Sequence, residues 1–138
     1  MSYATAADLA LIVPPETLRQ LAADDPMATA PDPAIVAAAL AYADARIDAA
    51  LASAGVRLPD PPPAIIRELA AGLARAWLYA RRPEGMDCPD AQRRHADAHE
   101  KLLLEIAAGR LRLGATGTPS GTLEVARGTR ARDWGMLA

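Results

Sequence analysis

The sequence has no phenylalanine, one cysteine and one lysine, and aromatic residues make up only 4% of its 138 residues. The single cysteine, Cys88, excludes a disulfide within the chain and a cysteine-rich zinc site. No apolar run approaches the roughly 18–20 residues that a membrane-spanning helix requires, and the first residues lack the basic region of a signal peptide. We therefore expect a cytoplasmic protein with no membrane partner.

Alanine supplies most of the hydrophobic content, which is 51% of the residues. Because alanine is the best helix former and has little preference for strands, this composition favours closely packed helices. The formal net charge of −2 provides no basic field that would draw the chain onto nucleic acid. The length fits one domain of ordinary size.

Two short helices are predicted near the N-terminus. Thr5 with Asp8 three positions later resembles a capping box, which predicts a first helix over 6–13. Pro14 and Pro15 interrupt it, and Pro15 suits the first turn of a second short helix.

Three long helices follow, predicted at about 33–54, 63–82 and 89–108. The pair Asp32-Pro33 is a strong start signal, and Gly55 stands where a glycine ends a helix. Prolines at 59 and 61–63 form a stiff spacer between the first two long helices. We expect an all-α bundle over 1–113 and a flexible tail over 114–138, where glycine, serine and threonine are frequent.

Histidines at 95 and 99 share one helical face and, with Cys88, form a weak candidate for zinc. The metalloprotease signature requires glutamate directly after the first histidine, where Ala96 stands. No nucleophile triad, phosphate-binding loop or dinucleotide fingerprint is present. We expect no enzyme activity, no cofactor and no metal.

Two segments are candidates for binding a protein partner, because tryptophan, tyrosine and arginine are the usual anchors of interfaces. The first, at the end of the middle long helix, contains Trp77, Tyr79, Arg81 and Arg82. Arginines at a helix end also interact with the helix dipole, and Trp77 also fits the core. The second lies in the tail and contains Arg130, Arg132, Asp133 and Trp134. An apolar end on a flexible linker is typical of a peptide that orders on binding, with an inert tail as the alternative.

Five stretches of the sequence, in order, resemble a family of small proteins encoded by Mu-like phages and prophages. They are "YATAADL", "ALAYADARIDAALASAGVRLP", "PAIIRELAAGLARAWLYARRP", "EKLLLEIAAGRLRLG" and "RARDWG". The chain departs from the family in the loop "DDPMATAPDP", where many members have an acidic, glycine-rich loop that suggests a cation site.

The resemblance implies a small helical bundle that acts as a neck, or head-to-tail joining, component of a tailed phage. Related connectors form rings beneath the portal, and DNA passes through the lumen. The implied partners are the portal, tail-side neck proteins and further copies of the chain, with DNA contacted without sequence specificity. The implied location is the virion neck, after assembly in the host cytoplasm. The alternative is a cellular helical adaptor or regulator that binds a protein through the segment 77–82.

Overall fold

The computed structural model describes residues 2–81 and 88–111, and the regular structure within them is entirely helical. The helices are α1 (Ala6–Ile12), α2 (Pro15–Leu21), α3 (Pro33–Ala54), α4 (Ala64–Ala80) and α5 (Asp90–Ala107). The predicted all-α class, with three long and two short helices, is therefore confirmed. Pro63 and Pro89, which were expected inside their helices, stand immediately before α4 and α5.

Local chemistry sets the helix ends as the sequence predicts. In the capping box of α1, the Thr5 hydroxyl accepts from the Asp8 backbone N–H at 3.2 Å, and the Asp8 carboxylate accepts from the Thr5 N–H at 2.9 Å. The Asp32 carboxylate caps α3 by accepting from the Ala34 N–H at 2.9 Å. Gly55 ends α3 with a φ of +68°, a left-handed conformation that glycine adopts at little cost.

Helix α4 lies at the centre of the bundle and packs against α1, α3 and α5. The three- and four-residue spacing of Ile66, Leu69, Leu73, Trp77 and Ala80 predicts one apolar stripe along α4. The structure corrects this prediction, because Ala80 is exposed and Trp77 is half-buried, whereas the middle of the helix is enclosed on several sides. The buried residues of α4 are Ile66, Leu69, Ala70, Ala71, Gly72, Leu73, Ala74 and Leu78.

Tyr3, three residues before α1 begins, is held by an acidic pair on α3. The backbone N–H of Tyr3 donates to Asp44 Oδ1 at 3.0 Å, and its hydroxyl donates to Asp48 Oδ1. The i,i+4 spacing of these two acids favours a solvated pair on one helix face, but Asp44 and Asp48 both bind Tyr3 and hold it against α3. None of the helices in the described part of the chain is long and apolar enough to cross a membrane.

Candidate interaction surface

Trp77 on α4 lies beside Tyr42 on α3, with ring centroids 6.4 Å apart and ring planes inclined by 36°. Trp77 is half-buried and Tyr42 is 37% exposed, so the pair has one apolar side on the core and one side on the surface. Together with Arg46, Arg81 and Glu100, these two residues form what we call the aromatic–arginine surface.

Arg46 is fixed on this surface by three groups. Its Nη2 donates to Glu100 Oε1 at 2.6 Å, and its Nη1 donates to Glu100 Oε2 at 3.1 Å. Nη1 also donates to the Tyr42 hydroxyl at 2.7 Å. Its Cζ atom also lies 5.6 Å from the centroid of the Tyr42 ring. The hydrogen bonds to Glu100 raise the pKa of Arg46 further, so the guanidinium is permanently charged.

Arg81 holds the other end of the surface. Its Cζ atom lies 6.0 Å from the centroid of the Trp77 ring. The guanidinium donates to the Leu21 carbonyl oxygen at 2.9 Å and pairs with Asp24 at 2.7 Å. A cation at a helix C-terminus was expected, but the terminus that Arg81 reaches is that of α2 rather than its own helix.

The structure divides the predicted segment 77–82. Two positions along a helix are separated by about 200°, so Tyr79 faces away from Trp77 and interacts electrostatically with Arg75 one turn earlier. Tyr79 is half-buried against the core. Arg82 and the four tail candidates Arg130, Arg132, Asp133 and Trp134 lie outside the described residues, so their predicted role in partner binding stays a prediction.

The acidic residues of the loop "DDPMATAPDP" have protein partners. In the loop before α3, Asp24 pairs with Arg81, Asp25 accepts from the Met27 N–H at 2.9 Å, and Asp32 caps α3. Within residues 2–81 and 88–111, no group of three or more His, Cys, Asp or Glu side chains is placed to hold a metal ion.

Sequence reasoning missed Tyr42, Arg46 and Glu100. Tyr42 and Arg46 are four residues apart on one predicted helix, so their proximity to each other was available from the sequence. Glu100 is 54 positions from Arg46, and no local signal indicates that the two would meet. Aromatic rings with fixed arginines lose little side-chain freedom on binding, and such a surface is suited to contact with another protein.

A family model described as "Bacteriophage Mu, Gp36" matches residues 3–129. The chain belongs to this phage protein family. No curated protein sequence matches the chain at a significant level. The part of the chain that the family model covers includes the five described helices and every residue of the aromatic–arginine surface.

Proposed function

We propose that this Gp36-family protein is a structural head-to-tail connector subunit of a tailed phage or prophage, and that it forms a ring at the portal. The observation that carries the proposal is the match to a phage protein family along residues 3–129. The same match favours a phage component over a cellular adaptor. The resemblance of its motifs to neck proteins supplies the more specific role.

The helical body suits such a subunit. A ring component has to keep its shape while neighbours press on both sides, and α4 is held centrally between α1, α3 and α5. The aromatic–arginine surface offers a preorganised contact for a neighbouring subunit or the portal. Residues 114–138, with Arg130, Arg132, Asp133 and Trp134, would supply an arm that reaches an adjacent protein.

The proposed role is one of assembly without catalysis, first in the host cytoplasm and then in the virion neck. DNA would pass through the ring without sequence-specific contact. A net charge of −2 agrees with this, because a strongly basic lumen would hold the phosphate backbone in a salt-sensitive manner.

The decisive experiment mixes the purified protein with the portal protein encoded in the same genome and images the product by electron microscopy. We expect an additional ring of density on one end of the portal. Protein that stays unassembled at every protein concentration and salt concentration tested would contradict the proposal.

A pair of matched variants tests whether the aromatic–arginine surface takes part. Tyr42→Ala removes an aromatic residue that is 37% exposed, and Ile65→Ala removes an apolar residue that is 38% exposed at the far end of α4. We expect the first to weaken association with the portal or between subunits, and the second to assemble normally. Equal assembly by both variants would remove this surface from the interface.

A further inference from the structure

A second polar site lies in a groove between the end of α1 and the facing sides of α4 and α5. The groove has a volume of about 370 Å³. Its polar groups come from Arg75 and Glu68 on α4 and from His95 and His99 on α5, and its apolar wall comes from Ile12, Gly72 and Ala98.

Arg75 differs from the arginines that are paired with acids. Six arginines of the described chain make an ion pair with a carboxylate, namely Arg19, Arg46, Arg67, Arg81, Arg93 and Arg110. Arg75 makes no such pair within residues 2–81 and 88–111. Its Nη1 donates to the Ile12 carbonyl oxygen at a long 3.4 Å, its Nη2 contacts His95 Nδ1 at 3.0 Å, and its buried Nε has no partner.

The charge on Arg75 is therefore half-buried and lacks a counter-ion among the described residues. Burial lowers the pKa of Arg75, which records the cost of removing the guanidinium from water. A buried cation is normally paired with an anion, because an uncompensated charge in a low-dielectric site is unfavourable.

The two histidines make the groove more receptive to an anion. A guanidinium can only donate, so Nδ1 of His95 accepts from Arg75 and the His95 proton stands on Nε2. Nδ1 of His99 is buried without a partner. Burial, followed by electrostatic interactions with Arg75 and His95, lowers the pKa of His99, while Glu68 and Glu100 oppose this shift. A carboxylate next to Arg75 would restore proton affinity to His99.

We propose that this groove binds the carboxylate of an aspartate or glutamate side chain presented by a partner protein. Nη1 and Nη2 of Arg75 each carry a second N–H besides the one directed at Ile12 or His95, and a planar guanidinium can bind a carboxylate through two parallel hydrogen bonds. The apolar wall, together with Leu11, which is 84% exposed on α1, suits the aliphatic neighbours of an acid in a protein segment. A polyanion such as nucleic acid is disfavoured by the net negative charge of the chain.

The test uses the isolated full chain, so its outcome is independent of the proposed neck role. The ring signals of His99 are followed by NMR during titration with the blocked dipeptide acetyl-glutamyl-leucine amide. The neutral acetyl-glutaminyl-leucine amide and inorganic phosphate are titrated at the same ionic strength. We expect saturable shifts and an increase in the pKa of His99 with the glutamyl peptide, and at least about tenfold weaker binding of the other two probes.

Variants locate the site. Arg75→Gln should weaken binding of the glutamyl peptide at least about tenfold, whereas Arg57→Gln, which removes the same charge from an exposed position, should bind like the wild type. Equal binding of the two peptides, or phosphate binding as tight as that of the glutamyl peptide, would overturn the proposal. Because the three probes are compared on the wild-type protein, their comparison tests the proposal even if Arg75→Gln fails to fold.

Discussion

At the scale of single residues, the contact between His99 on α5 and Gly72 on α4 depends on a missing side chain. A methyl group built at Gly72 would overlap the imidazole of His99. In most helix interiors, replacing glycine by alanine stabilises the helix by about 1 kcal/mol, since glycine has more backbone freedom to lose. Overpacking of a core commonly costs about 1–3 kcal/mol, so the steric effect should exceed the propensity gain here.

We therefore expect Gly72→Ala to lower the free energy of unfolding by up to about 2 kcal/mol in urea denaturation. The control is the same substitution in a His99→Ala background, where the space is open. There we expect Gly72→Ala to raise the free energy of unfolding by up to about 1 kcal/mol. Gly72→Ala, His99→Ala and the double variant form a double-mutant cycle that isolates the contact between positions 72 and 99. If Gly72→Ala stabilised the protein in both backgrounds, the predicted steric conflict with His99 would be contradicted.

A second residue-scale prediction concerns Tyr3. Burial, followed by the hydrogen bond to Asp48 and the charges of Asp48 and Asp44, raises the pKa of Tyr3 from 10.0 to about 12. The folded state thus favours the protonated phenol. Its contribution to stability is complete below pH 10 and is lost as the pH rises from about 10 to about 12.

We expect the wild-type free energy of unfolding to fall more steeply than that of Tyr3→Phe across this pH range, because phenylalanine has no proton to lose. Denaturant titrations of both proteins at pH 9, 10 and 11 would measure the difference. Parallel pH profiles would show that the contact with Asp48 does not influence folding.

At the scale of secondary-structure elements, Arg81 joins two helices that are far apart in the sequence. It donates to the last turn of α2 through the Leu21 carbonyl oxygen and stacks near Trp77 on α4. We expect Arg81→Gln to destabilise the protein by about 1–2 kcal/mol, with faster amide hydrogen exchange in α2 than in α3.

Asp24→Asn is the matched comparison, because it removes only the exposed side of the same ion pair. Exposed ion pairs contribute at most about 1 kcal/mol, so this variant should cost about 0.5 kcal/mol or less. If both variants cost the same, the carbonyl contact and the ring contact of Arg81 would be without energetic effect.

The helix ends were predictable from the sequence because each depends on nearby residues. Thr5 with Asp8, Asp32 before Pro33, and Gly55 each act within one turn. Which residues of α4 are buried was not predictable from nearby residues. Ala70, Gly72 and similar small residues fit against a neighbouring helix or in water, so their burial depends on which helices surround α4.

The aromatic–arginine surface was likewise predictable only where its residues are neighbours on one helix. Trp77 and Arg81 are four residues apart on one helix, and the sequence places them together. Tyr42 and Glu100 join them only through the packing of α3 and α5 against α4, and nothing in their local sequence specifies that contact. The groove at Arg75 required the fold for the same reason, since its parts come from three helices.

At the scale of the whole molecule, the described helices close around one core. The buried cluster extends from Ala4 to Ile106 and includes residues of all five helices. Ion pairs also connect separate helices, Asp8 with Arg67 between α1 and α4 and Arg46 with Glu100 between α3 and α5. Because such exposed pairs are individually weak, the apolar cluster is the main source of stability.

The composition of residues 114–138, rich in glycine, serine and threonine, predicts that the chain can be divided after Leu113. Among the described residues, the core cluster and its partly buried neighbours already include residues of all five helices. We expect a protein ending at Leu113 to unfold cooperatively, with a free energy of unfolding within about 1 kcal/mol of that of the full chain, as measured by urea denaturation and circular dichroism. If residues 114–138 form the proposed arm, the same protein should fail to add a ring to the portal. A shortened chain that loses its cooperative transition would instead show that the tail belongs to the folded body.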